Sequence, residues 1–451
     1  MPITAVFNQG QYLAIETDRG SAPSGGRSRT GAGAEWWYGG RRIPIITDGL
    51  PGIDDKQETV FPTGHAGVRG ANQQAPVVGR KWSEGDFSAP VVADLLTAIL
   101  YGAMGTLSSN MVPSLGPSLL ANEPIAATPK SLVLGTQPDA GGNVLRFDLK
   151  GNQSGTGTVS ISGIDSYGNG ASETINMAST GLFYTRTSWS SIAASGIVFT
   201  GWSVVGAGAA SVTIFGIRNF THTVSGASKA PTFTFERIGT PQAGNTASVS
   251  FIHPGMVITE MNLNTPAATP DGLFMLDATF EGDPTVTCTA TSLNAASTLK
   301  VWPAWVFRLT RDGGTAYNRA TDFNLNISTG ARNLFAGAGS QGPQDSLFDK
   351  QEVTGDMTVY MQDEFETLRW KGASNMTLYA RWYTDWKLTA SQNVELGASL
   401  SIYYENLEVD EDDGAFVLKA DWRTVQDANF GTGQFQVVSG IPGTCFGNTV
   451  I

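Results

Sequence analysis

The stretch HPGMVITEMNLNTPAATPDGLFMLDATFEGD, residues 253–283, decides how the chain is read. In its first half Val257, Met261 and Leu263 stand against Ile258, Glu260 and Asn262; in its second, Phe274, Leu276, Ala278 and Phe280 alternate with Met275, Asp277 and Thr279. A period of two residues puts every second side chain on one face of a pleated strand, so each half predicts a strand with an apolar face inward and a polar face in water. The pattern returns in Phe323, Leu325 and Ile327 against Asn324 and Asn326. It returns again in Leu378, Ala380 and Trp382, in Leu400, Ile402 and Tyr404, and in Phe416, Leu418, Ala420 and Trp422. At least six such strands predict a mainly β protein, built as a sandwich or partly closed barrel. Trp302, Trp305, Trp382 and Trp422 lie within these patterns and are expected in the core.

One segment departs from the pattern. In DFSAPVVADLLTAILYGAMGT, residues 86–106, Val91, Leu95 and Ile99 fall four apart, as do Val92, Leu96 and Leu100. That spacing makes one apolar stripe over about two and a half helical turns. A strand-rich chain that keeps one amphipathic helix uses it to cover an open face or end of its sheets.

Texture changes suggest the domain organisation. Residues 1–46 form an N-terminal arm, Gly/Ser/Arg-rich with an aromatic cluster at Trp36, Trp37 and Tyr38. A long polar segment with Gly and Pro punctuation, 47–82, precedes the helix, and a structureless stretch of that length points to contact with a partner. After the helix, GTLSSNMVPSLGPSLLANEPIAATPKS holds four prolines and is expected to lack regular structure, with a boundary near residue 120. Residues 121–217 read as an inserted Ig-like β-sandwich: Val159 and Ile161 alternate with Ser and Thr, 166–170 turn, Glu173 and Ile175 resume, and SVTIFGI (211–217) closes the unit. Residues 218–451 complete the domain begun by 47–120.

Composition narrows the function. With 40 acidic against 28 basic side chains the net charge is −12, which repels nucleic acid rather than gripping it through counterion release. Cys288 and Cys445 are the two cysteines, too few for a disulfide framework or a zinc cluster. The N-terminus lacks a secretory pattern and no run of 18 apolar residues occurs, so synthesis in a cytoplasm and no membrane partner are expected. His65, His222 and His253 lie far apart with no GxSxG-like sequence, and the glycines from Gly25 to Gly40 precede no helix that would receive a phosphate. No enzyme activity, metal or cofactor is therefore expected. ENLEVDEDDGAF, residues 405–416, lacks the ligand spacing of a calcium loop and reads as a solvated acidic hairpin tip.

The order of arm, polar loop, EGDFSAPVVADLLTAILYGAMG, FTHTVSGASKAPTFTFER and HPGMVITEMNLNTPAATPDGLFMLDATFEGD resembles the major tail tube proteins of tailed bacteriophages, over roughly 43–105 and 218–440. The resemblance implies a tail-tube β-sandwich or barrel with one flanking α-helix, in homohexameric rings stacked into a tube whose bore carries the genome. It further implies a virion protein of a long non-contractile tail, assembled in the host cytoplasm, with tape measure, terminator and distal tail proteins as partners and DNA passing without specific binding. One copy of the helix favours six single-domain subunits over a trimer of duplicated domains. On this reading Arg27, Arg29, Trp36, Trp37, Arg41 and Arg42 of the arm and Asp54, Asp55 and Glu58 of the loop are candidates for contacts between subunits and rings. Asn262, Asn264, Asn324 and Asn326 are lumen-facing candidates, although a solvated outer face explains them equally well. Trp189 and Trp202 are surface candidates of the inserted module. The rival function is a β-sandwich virion or surface adhesin that stacks exposed indoles on glycans.

Overall fold

Alternating segments form strands because a neighbour satisfies their backbone groups while their apolar faces share one core. The computed structural model describes residues 10–15, 43–44, 53–60 and 77–440. Within the last span it omits 112–117, 126–128, 140–141, 152, 155–156, 166–169, 178–180, 202, 205–209, 218, 228, 230, 240–248, 267–271, 290–300, 313, 318–319, 336–340, 362–363, 389–392 and 413. The protein is mainly β, with sheets that do not close into a barrel.

The main sheet runs, antiparallel throughout, from Asp54–Val60 to Val77–Pro90, Met275–Gly282, Val249–Thr265, Ala320–Ser328, Glu352–Tyr360, Ala415–Thr424 and Asn393–Asp412. Two of these strands change partners along their length. The first half of Val249–Thr265 pairs with Phe233–Gly239, which also carries Gly10–Ile15 on its far edge. The first half of Asn393–Asp412 pairs with Met376–Lys387 on one edge and Gln434–Ser439 on the other. Phe307–Arg311 pairs with the far edge of Met376–Lys387; Phe220–Gly226 pairs with Gln434–Ser439 and in turn carries Gly105–Met111.

Helix α1 spans Ala93–Met104, shorter than the periodic stretch suggests. Ser83–Pro90 pairs residue by residue with Met275–Gly282, and that ladder holds the chain extended up to Val92. Leu95, Leu96, Ala98, Ile99, Leu100, Ala103 and Met104 are all buried, so the helix enters the core of the main sheet rather than resting one stripe on it. Gly102 permits this approach: a Cβ there would lie 2.4 Å from Phe233 Cε2. Gly105, at φ 97°, ends the helix in the left-handed region that glycine adopts without steric cost.

A second helix, α2 (Phe365–Lys371), adds to the one the periodicity announced, and its Glu366 forms a buried ion pair with Arg311. Trp302, Trp382 and Trp422 are fully buried as expected. Trp305 is not: it is 57% exposed, because the turn Ala304–Val306 points Ala304 and Val306 inward and the indole outward. Phe416 is likewise 62% exposed, since its strand continues beyond the end of the core.

Strands between Ser118 and Ile217 form a separate seven-stranded sheet. Its order is Gly170–Met177, Gly157–Asp165, Gly181–Thr200, Asn143–Lys150, Ala210–Ile217 and Ser118–Ile125, with Lys130–Leu132 also on Gly181–Thr200. The twenty-residue strand Gly181–Thr200 changes partners midway, and Phe147 meets Phe199 edge-on at 6.2 Å within the resulting core. The described part of the proline-rich segment is not irregular, since it supplies Gly105–Met111, Ser118–Ile125 and Lys130–Leu132. Pro124 is tolerated because Ser118–Ile125 is an edge strand, paired only with Ala210–Ile217 among the described residues.

Candidate functional site

Register aligns the polar half of the alternation into rows across the main sheet. One row runs Ser88, Asp277, Asn262, Asn326, Thr354, Arg423 and Tyr403, each the cross-strand partner of the next. The next row is Met275, Asn264, Asn324, Asp356, Asp421 and Asn406. A third is Asp86, Thr279, Glu260, Ser328 and Glu352. The four asparagines named from sequence therefore meet as two adjacent pairs, Asn262 with Asn326 and Asn264 with Asn324, in the middle of one face. Cross-strand neighbours of this kind are close enough to interact directly.

Amide groups tie the carboxylates into the face. Asn324 Nδ2 donates to Asp356 Oδ2 at 2.9 Å, Asn326 Nδ2 donates to Glu260 Oε1, and Asn406 Nδ2 donates to Asp421 Oδ2 at 3.4 Å. Burial raises the Asp356 pKa, with Asp421 and Asp322 beside it acting the same way against the bond from Asn324. The cations are committed within the face. Lys419 pairs with Asp410 at 2.9 Å, and Arg423 lies 2.8 Å from Glu405 and 3.9 Å from Glu352. Alternation alone puts Glu260 and Asp277 on the wet side of their strands; Asp356 and Asp421 join them only through the register, which no single strand carries.

The described part of the polar loop at Asp54–Val60 is bound into the fold as a strand. Asp54 is exposed and lies 3.8 Å from Lys56, which also pairs with Glu84 at 3.1 Å; Glu58 is exposed. Asp55 accepts from Ser83 Oγ at 2.6 Å and from Thr285 Oγ1 at 2.6 Å and N at 3.0 Å. Burial opposes its charge, but these bonds hold its carboxyl below the usual range. Thr285 Oγ1 in turn shares a hydrogen bond of 2.9 Å with Nδ1 of the buried His253. Arg27, Arg29, Trp36, Trp37, Arg41 and Arg42 lie outside the described residues, as does Trp202. Trp189 is fully buried in the core of the 118–217 sheet, which corrects the expectation of an exposed indole: the strand turns that position inward, where no glycan reaches it.

Other chemistry finds little footing. Ser109 Oγ and His222 Nδ1 share a 2.8 Å hydrogen bond, but both residues are buried. No group of His, Cys, Asp and Glu among the described residues has the arrangement of a metal site, and no helix there is long and apolar enough to cross a membrane. The acidic run at 405–416 forms a hairpin whose Asp412 pairs with Ala415 around Gly414 at φ 77°. No curated protein matches the sequence. The sequence profile of the phage tail tube protein family matches residues 8–385, and this chain belongs to that family, as a structural tail tube subunit and virion component.

Proposed function

We propose that copies of this chain form rings, six subunits to a ring, which stack into a tube whose channel is lined by the face bearing Asn262, Asn264, Asn324 and Asn326. Genomic DNA passes through during ejection without specific binding. The observation that carries this reading is the charge of that face: Asp86, Glu260, Asp277, Glu352, Asp356 and Asp421 share it with neutral amides, while Lys419 and Arg423 sit against carboxylates. A carboxylate wall releases no counterions from DNA and repels its phosphates, so the polymer slides; a basic wall would hold it. In the same reading the arm and the 54–60 strand reach neighbouring subunits and rings, and 121–217 is an inserted domain carried on the outside of the tube, away from the DNA. Terminator, tape measure and distal tail proteins meet the assembled ends.

The test is charge reversal. A chain carrying Glu260→Lys, Asp277→Lys, Asp356→Lys and Asp421→Lys should still give tubes in negative-stain images. Phage built from it should eject DNA more slowly at low salt and recover as salt rises. Ejection at the unaltered rate from tubes of normal appearance would remove this face from the channel.

A further inference from the structure

Two surfaces remain outside that reading, and they complement one another. The first is the tip of the hairpin made by Asn393–Asp412 and Ala415–Thr424. Val409 and Phe416 sit on the face that, further along, carries the buried Ala420 and Trp422, but the core has ended, leaving them 45% and 62% exposed. The exposed Glu411 lies beside Phe416 on that same face, while Glu408 and Asp410 are exposed on the opposite one.

The second is a groove of about 560 Å³ over one face of the paired strands Phe307–Arg311 and Met376–Lys387. Trp305, Tyr379 and Tyr383 give it aromatic walls, with Trp305 and Tyr383 57% and 44% exposed. Gly397 on the adjoining strand leaves room for the Tyr379 ring: a Cβ there would lie 2.8 Å from the phenol oxygen. Arg381 lies 4.6 Å from the Tyr383 ring centre and pairs with Glu395. Arg308 donates to the carbonyls of Phe307 at 2.8 Å and Trp305 at 3.4 Å and faces no carboxylate among the described residues. Trp, Tyr and Arg around a pocket are the composition of an interface hot spot.

The two surfaces sit at opposite ends of one strand. Arg381 is opposite Gly397, whereas the tip begins at Asp412. Fifteen residues of extended chain at about 3.3 Å each separate them by roughly 50 Å, so no copy can fill its own groove. We propose that the hairpin of one copy seats Phe416 and Val409 in the Trp305–Tyr379–Tyr383 groove of a second copy, with Glu411 meeting Arg308. The contact is heterologous, head to tail, and such contacts close into rings or run on as filaments. This inference supplies an assembly contact to the tube reading and rests on that reading for its biological setting.

Complementation tests it. Phe416→Ser spoils the hairpin and leaves the groove; Trp305→Ala spoils the groove and leaves the hairpin. Each variant alone, shown folded by circular dichroism, should need at least ten-fold more protein to assemble in sedimentation runs. An equimolar mixture should give dimers that do not extend, because one competent hairpin meets one competent groove. Arg308→Glu should show the same loss and regain assembly when combined with Glu411→Arg. Assembly of either single variant like the unaltered chain overturns the docking and assigns the groove to another occupant, while leaving the tube reading intact; so does a mixture of folded chains that stays monomeric. If the unaltered chain forms dimers or rings by this contact but never stacked tubes, the docking stands and the tube reading falls.

Discussion

The two large sheets are built alike on their inner faces and differently on their outer ones. Each packs an apolar core with a fully buried tryptophan, Trp382 in the main sheet and Trp189 in the sheet of residues 118–217. Outside, the main sheet presents Glu260, Asp277, Asp356 and Asp421 among asparagines, whereas the smaller sheet presents Thr158, Ser160 and Ser162 opposite Asn176, Thr174 and Ser172. There the side chains pair as hydroxyls, Thr158 with Thr200 at 2.7 Å and Ser160 with Thr174 at 3.2 Å. The apolar half of the alternation sets the fold in both, and the polar half is free to differ. The smaller sheet's charges are mixed and paired, Lys150 with Asp148 at 3.5 Å and Lys130 with Glu123 at 2.8 Å, so an excess of carboxylates is a property of one face of this chain rather than of its β-architecture.

If the cores are independent, damage to one should leave the other standing. Trp382 stacks on Phe274 at 4.8 Å, meets Phe307 at 5.1 Å, and donates Nε1–H to Thr265 Oγ1 at 3.0 Å. Truncating a buried Trp to Ala costs about 3–5 kcal/mol. We expect Trp382→Ala to lower the unfolding free energy of the main sheet, read from urea titration, by that amount and to strip its amide protection. Trp189→Ala should do the same to 118–217 alone. Loss of protection in both sheets from either change would make them one cooperative unit and end the comparison.

Much of this arrangement is legible in the letters, because alternation is local. Met275–Gly282, Ala320–Ser328, Met376–Lys387 and Ala415–Thr424 all fall where the two-residue period puts them. What parity cannot say is where a core stops, so Trp305 and Phe416 have the spacing of core residues and lie outside it. Nor does it reveal register: Asn264 and Asn324, or Asp356 and Asp421, are some sixty residues apart and become neighbours only through the ladder. The helical stretch is misjudged at its start for the same reason, since the ladder with Met275–Gly282 competes for residues 86–90 and wins. Alternation therefore marks the polar positions and not their company.

Acid separates the sheets next. His253, 2% exposed in the main sheet, has its pKa lowered to about 4 by burial, with Arg237 acting in the same direction. The unfolded chain binds this proton near pH 6.5, so between pH 6.5 and 4 the unfolded state holds more protons and stability falls as pH falls. The contribution is complete above pH 6.5 and gone below pH 4, and amounts to about 3 kcal/mol. His253→Gln should flatten that slope in the main-sheet transition followed by pH-dependent urea unfolding. Residues 118–217 contain no histidine, so their transition lacks this contribution. An unchanged slope in the variant would move the acid sensitivity to carboxylates such as Asp55.

The smallest effect tests the charged face itself. Asp356 has a raised pKa, so the folded state favours its protonated form and the carboxylate destabilises the fold near neutral pH. Asp356→Asn keeps an oxygen to accept from Asn324 Nδ2 and removes the repulsion from Asp421 and Asp322. Because the site is open to solvent, screening limits the gain at pH 7 to a few tenths of a kcal/mol. The sign with pH is the reverse of that for His253: as pH falls through the raised pKa the native carboxyl takes up its proton, and the advantage of the variant disappears. A gain in melting temperature present at pH 7, reduced by added salt and absent in acid would show that the main sheet retains a like-charge penalty on this surface. An equal gain at every pH would place its origin in packing, and the electrostatic contrast between the two outer faces would then carry no cost to the fold.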